Sequence, residues 1–387
     1  MIVDLFYFYF YYILLIYKMD NMLYHSASPE ATQNTYIEYN NVDFIINCGP
    51  GRSLMRNSVR FNGEIDIKPD GNAKGNDCYL DYGIGIHGCV DSVQTVFGNS
   101  GSKENIQNYA RCVKMQGVGM LYEDDLTNAS NLVELRGPTE AIAAQFAKGE
   151  TTLNSGDKIT QDLDFSMRPS CILNKMTGDH LPTEKSGEIR LTINLARNMS
   201  ALMGANQGAL SSYALKNLHV SFQSVPTNGD PMKTRTQMRS VYNVKSTILS
   251  GTANIAQSVP AICDAVSCSF QRMDAENVNV VNNYDCQAVQ QIRRVQFEFN
   301  DSTNKFITYE ESDQNAMIKR YIDSFRNTGH NQMLLDTFRS NNGFGIGLHF
   351  REFVDLRRQR FGIQLTSDIT NVNPMNIYSY FHSLITA

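Results

Sequence analysis

The chain has 387 residues, of which 42% are hydrophobic and only 19% charged, and it carries a formal net charge of −5. That length and composition build large buried cores and exclude long disordered spans. The acidic balance opposes a general polyanion-binding role, which needs a surplus of clustered Lys and Arg, so no specific nucleic acid is expected as a partner.

In chain order, Leu5 to Tyr17 read LFYFYFYYILLIY, an apolar stretch shorter than the ~20 residues that cross a bilayer. Asp4 precedes it where a signal peptide carries Lys or Arg. Three readings stay open: an apolar arm tucked against a partner, a membrane-associating segment, or sequence upstream of a start at Met19 or Met22. No membrane is expected as a partner unless residues 5–17 are retained.

Period-two alternation begins further on. In SVRFNGEIDIK, Val59, Phe61, Gly63, Ile65 and Ile67 interleave with polar residues without a slip. Asn62-Gly63 is ordinarily a hairpin signal, but a turn there would pair core positions with solvent positions, so a single long strand is expected.

Gly83, Gly85 and Gly88 in GIGIHG have the spacing of a dinucleotide-binding fingerprint. That fingerprint works only between a buried strand and a helix N-terminus. Upstream there is no apolar run. Downstream, CVDSVQTVF alternates as a strand, and Glu104 comes too early to serve as the ribose-binding acid. A glycine-rich bend feeding a strand is the expectation, with no cofactor.

Helices are few. SKENIQNYARCVKM, capped by Ser102, places Ile106, Tyr109, Ala110 and Val113 on one stripe. PTEAIAAQFAKG runs from Pro138 to Gly149, and SDQNAMIKRYIDSFRN puts Ile318, Tyr321, Ile322 and Phe325 on one face after Ser312, with an extension through Met333 to Phe338. The alternation of the first strand recurs in EIRLTINLA, LHVSFQSV, RVQFEFN, FGIGLHF and RFGIQLT. Such segments, without regular helices between them, predict antiparallel sheets packed as a sandwich or barrel. The closing NIYSYFHSLITA is apolar on both faces, like an interior strand.

No catalytic, cofactor-binding or metal-ligating residue is assigned. His87 with Asp91 and Ser92 is the only local trio, and a structural role is favoured for it, as for His219 and His349 within strands. The acidic runs Glu123–Asp125 and Asp162/Asp164 lack the spacing of a calcium loop. Arg357, Arg358 and Arg360 read as a solvated turn. Eight scattered cysteines without a Cys-x-x-Cys pair read as free thiols, a Cys263–Cys268 disulfide being the alternative.

Five segments are recognisable together: RNSVRFNGEIDI from Arg56, GIHGCVDSVQTVFGNSGSKENIQNYARC from Gly85, SGEIRLTINLARN from Ser186, YALKNLHVSFQSV from Tyr213, and the closing FGIQLTS and IYSYFHSLI. In this order they resemble the penton, or minor capsid, proteins of virophages and polinton-like viruses. The resemblance covers most of residues 40–226 and the tail beyond 344.

It implies a mainly β protein, a single jelly-roll β-sandwich with an inserted second domain of mixed β and short helices. The expected layout is an apolar extension at 1–20, jelly-roll strands at 21–228, an inserted outer domain at 229–330 and closing strands at 331–387. The implied role is a non-enzymatic homopentamer at the icosahedral vertex of a double-stranded DNA virus particle, contacting the major capsid protein and assembled in the cytoplasm of the infected cell. The alternative is a β-sandwich attachment module that binds a receptor or glycan, with a host or helper-virus surface contacted through the inserted domain.

Overall fold

A computed structural model describes residues 22–68, 79–81, 84–117, 133–136, 163–203, 211–230, 236–249, 252–273, 292–300, 305–325, 345–367 and 374–386. The first part of the chain supplies β1 (Leu23–Ala27), β2 (Asn41–Ile46), β3 (Arg52–Met55), β4 (Arg60–Lys68), β5 (Tyr79–Leu80), β6 (Val90–Phe97), β7 (Gly101–Ile106), β8 (Leu163–Met167), β9 (His180–Pro182), β10 (Ile189–Leu195), β11 (Leu202–Met203) and β12 (Ser212–Pro226). The second supplies β13 (Gln237–Ile248), β14 (Thr252–Ser258), β15 (Ile262–Arg272), β16 (Ile292–Asn300), β17 (Lys305–Glu311), β18 (Ile346–Asp355), β19 (Arg360–Ser367) and β20 (Met375–Thr386).

The ladders between these strands are antiparallel, and two main sheets form in each part, the first part adding a β5-β11 pair. In the first, β1-β12-β4-β8 run side by side in one sheet and β2-β10-β6-β7 in the other, with β3 added beside β12 and β9 beside β3. In the second, the orders are β13-β20-β15-β18 and β14-β19-β16-β17. Setting aside β3, β5, β9 and β11 and counting strands within each part, both parts read first-eighth-third-sixth and second-seventh-fourth-fifth. This is the strand order of a jelly roll, two Greek keys folded into a two-layer sandwich, and the chain contains it twice in succession.

The mainly β, antiparallel jelly-roll expectation holds. The domain layout does not. Residues 345–386 do not close the first sandwich: β18 pairs with β15, β19 with β14 and β16, and β20 with β13 and β15. Residues 229–330 are therefore not an insertion; they carry the first five strands of a second, consecutive sandwich. Alternation reports that a strand has one wet face, and it is blind to which partner the strand will find.

In the first sandwich, Phe44 of β2 meets Phe61 of β4 across the two layers at 5.8 Å between ring centroids, and Phe165 of β8 packs on Phe61 at 5.4 Å. β4 is one unbroken strand through Asn62-Gly63, as the alternation required. The reason for the glycine lies opposite, where the β12 register shifts between Lys216 and His219 and Asn217 takes a φ of 51°. The bulge brings Leu218 Cδ2 to 2.6 Å and the Lys216 carbonyl oxygen to 2.8 Å from where a Gly63 Cβ would sit. Gly63→Ala is expected to lose about 1–3 kcal/mol by overpacking. Urea denaturation of the two proteins checks it, and an unchanged midpoint would contradict the bulge geometry.

The second sandwich is built around Phe361 of β19, whose ring meets Phe297 at 5.8 Å, Phe299 at 5.5 Å, Phe350 at 5.7 Å and Phe381 at 5.3 Å. The helix Gln314–Ser324 follows the expected apolar stripe and buries Met317, Ile318 and Tyr321. Its N-cap is Asp313, one residue after the expected Ser312; the carboxylate accepts from the Asn315 and Ala316 N–H groups at 2.7 and 3.1 Å.

The helix expected after Ser102 is shorter than its sequence suggested. Residues Gly101–Ile106 form β7, and helix begins only at Tyr109 and runs to Gly117. Pairing of β7 with β6 from Gly101 to Ile106 overrides the local helical pattern. The extension at residues 1–20, the segment 138–149 and the continuation to Phe338 lie outside the described residues.

Candidate functional site: the seam between the sandwiches

The residues that invited a search for chemistry are placed apart, and each has a structural task. Gly85 to Cys89 form a buried 3₁₀ turn that leads into β6. Gly85 takes a φ of 53°, and a Cβ there would run into the carbonyl oxygens of Glu134 and Leu135. The glycine thus admits a crossing segment of backbone, to which the Ile86 N–H donates at 2.9 Å through the Glu134 oxygen. Gly83 lies outside the described residues.

His87 is buried, and its ring meets Tyr109, Glu134 and Arg136, not Asp91 or Ser92. Its Nε2 lies 2.9 Å from Arg136 Nη2. A guanidinium can only donate, so Nε2 carries no proton and Nδ1–H is left to donate to Tyr109 Oη, 2.8 Å away. Desolvation, then the Arg136 charge, holds the His87 pKa below its ordinary value, in agreement with a neutral ring. Burial alone would raise the Glu134 carboxyl. The Arg136 guanidinium at 2.9 Å and the Arg168 N–H at 3.0 Å override that and hold it below its ordinary value. Ser92 Oγ accepts from Asn194 Nδ2 at 2.6 Å.

The other candidates are equally separate. Arg357 pairs with Asp355 at 2.6 Å within the exposed turn from β18 to β19, and Arg360 is exposed. Asp164 is exposed on β8, while Glu123–Asp125 and Asp162 are outside the described residues. Cys48, Cys89, Cys112, Cys171, Cys263 and Cys268 are free and buried, so no Cys263–Cys268 bridge forms. Desolvation pushes the Cys112 and Cys171 thiols up to about 12, away from reactive thiolate. Among the described residues no group of His, Cys, Asp and Glu is arranged to hold a metal ion.

What the fold does assemble is a seam. β20 is buried on both faces because its sheet lies between two layers. On the inner face Phe381 meets Phe361 and Ser379 Oγ accepts from Gln257 Nε2 at 3.1 Å. On the outer face, Tyr380 Oη donates to the Asn108 carbonyl at 3.1 Å and His382 stands edge-on to Phe325 at 5.6 Å.

Backbone crosses the seam as well, with Arg239 N–H to the Lys175 oxygen at 2.9 Å and Thr177 N–H to the Gln237 oxygen at 2.8 Å. At its centre Glu104 of β7, 3% exposed, accepts from Ile172 N–H at 2.8 Å and from Ser240 Oγ of β13 at 3.0 Å. Desolvation raises its pKa to about 7, against the charge of Lys175 and these two hydrogen bonds.

Beside this contact a cleft of about 320 Å³ opens between the sandwiches. Arg111 lies over the Tyr378 ring at 4.4 Å and Lys245 approaches the same ring at 5.2 Å, while Arg197 stands over Tyr39 at 5.6 Å. Sequence reasoning considered Glu104 only as a ribose ligand and did not single out Arg111, Arg197 or Lys245. Their meeting depends on contacts across more than a hundred residues, for which the sequence holds no local signal.

No protein-family model matches the chain, and no curated protein matches it in sequence. Solved structures do match, over nearly its whole length. PBCV-1 VP54 fitted into a reconstruction of the virophage Sputnik aligns with a TM-score of 0.59 at 10% identity, covering 95% of this chain and 94% of that one. The Faustovirus major capsid protein aligns at 0.58 and 9% identity, covering 94% and 90%. The mavirus major capsid protein aligns at 0.52 and 10% identity, covering 94% and 90%. At such identities the likeness is one of fold: a mainly β chain of antiparallel jelly-roll sandwiches, as in viral capsid proteins.

Proposed function

We propose that this chain is a structural subunit of an icosahedral virus shell, resident in the virion, and that it works by assembly and not by catalysis. The observation that carries the reading is the doubled jelly roll, which aligns from end to end with capsid proteins that include two major capsid proteins. A sheet sandwich with a filled core is stiff, and its end loops remain free to meet neighbours. Two sandwiches fastened by a buried seam give a broad block of fixed shape.

The resemblance noted in the sequence points to the fivefold vertex, with five copies in a ring that contacts the major capsid protein. That ring has one sandwich per chain. With two, a closed ring of three copies sets six similar sandwiches around its axis, matching the sixfold packing of a shell facet. We therefore favour the facet over the vertex. The alternative, a β-sandwich attachment module, would contact a host surface through an inserted domain, and residues 229–330 instead belong to the second sandwich.

Native mass spectrometry of the purified 43.6 kDa chain is expected to give a species of three copies. Five copies would return the protein to the vertex. A strictly monomeric protein absent from purified particles would overturn the capsid reading.

A further inference from the structure

We propose that the cleft between the two sandwiches binds a phosphate-type oxyanion. Three cationic side chains converge on it from three separate elements: Arg111 from the first turn of the helix Tyr109–Gly117, Arg197 from the chain just after β10, and Lys245 from β13. Asp91 is the single carboxylate in the lining, so the lining carries a net charge of +2. The cleft volume of about 320 Å³ suits a phosphate or a small phosphate ester.

The three charges have different settings. Arg111 is 5% exposed, with its guanidinium over the Tyr378 ring, so it acts from a low-dielectric wall where attraction for an anion is stronger than in water. Arg197 and Lys245 are exposed at the rim and can meet an incoming anion without burying further charge. Gln271 adds an amide to the lining. A tetrahedral dianion engages donors from several directions at once, whereas one carboxylate occupies a single guanidinium fork. The inference does not depend on the capsid reading, since it concerns one chain in solution.

Isothermal titration of the full chain at low ionic strength, with inorganic phosphate and separately with a nucleoside 5′-monophosphate, tests the proposal. Saturable binding is expected, weakened about tenfold in the double variant Arg197→Gln/Lys245→Gln, whose substitutions lie on exposed side chains and lower the ligand-free unfolding temperature by only a few degrees, for the loss of two exposed cation–π contacts. Tighter binding of the ester would identify a phosphate ester as the source; equal binding would identify free phosphate. The proposal is overturned if neither titrant saturates, if the double variant binds as the parent does, or if a polyglutamate peptide binds while phosphate does not.

Discussion

Replacing Phe361 by Ala is expected to cost the protein about 3–5 kcal/mol, the range for deleting a fully buried aromatic ring. Phe361 has no exposed surface, and it touches rings from β16, β18 and β20, that is, from both layers of the second sandwich. Four neighbouring rings anchored on three strands cannot all move into the void, so the site collapses poorly and the loss lies toward the upper end. For a sandwich of this size the unfolding temperature is expected to fall by about 10 °C. Differential scanning calorimetry reads it directly. Phe361→Leu, which keeps most of the volume, should recover more than half of the loss; a fall below about 1 kcal/mol in the Ala variant would mean that the ring cluster does not hold the two layers together.

Glu104→Gln is expected to change how stability varies with pH. In the folded chain the Glu104 pKa is raised to about 7, above its ordinary 4.5, mainly by desolvation at the seam. Between those two values the folded state holds a proton that the unfolded state has released. The stabilising contribution is therefore complete below about pH 4.5, is lost as pH rises toward 7, and is constant above that. With 1.36 kcal/mol per pKa unit the span is about 3 kcal/mol.

His87 and His382 work in the opposite sense over part of the same window. Both have lowered folded pKa values, so unfolding takes up protons below about pH 6.5 and their contribution grows with rising pH. Subtracting the Gln variant from the parent isolates Glu104, because the histidines are common to both. Gln can still accept from Ile172 N–H and can donate to Ser240 Oγ, so the seam keeps its hydrogen bonds. Urea titrations at about pH 5 and pH 8 are expected to show a stability gain for Gln over Glu that is larger at the higher pH. A gain that is the same at both pH values would show that Glu104 is not titrating in the seam.

Much of the architecture was legible strand by strand. EIRLTINLA became β10 with burial alternating along its length, and the Asn62-Gly63 pair stayed within one strand because its flanking faces demanded it. The two-faced burial of the closing strand was also written in its residues. What was not legible is pairing: β13 and β20 are joined along their whole lengths, yet nothing in either segment names the other. Alternation therefore reveals sandwiches without naming the partners of the closing strands, and the single fold with an insertion that the resemblance implies is in the structure a doubled fold. The seam failed for the same reason. Glu104, Ser240, Arg111 and Tyr378 are unremarkable in sequence, and their chemistry arises only when two separately folded blocks face each other.

The placing of each block's first strand beside its eighth also orders events during synthesis. β1 finds β12 about two hundred positions later, so the leading block can close once Pro226 has left the ribosome, while the trailing block is still being translated. Until the trailing block forms, the surface around Glu104 and Arg111 stays uncovered. Slow, long-range strand pairing lengthens that interval, and it is the period in which a nascent chain is most exposed to aggregation and most dependent on chaperones.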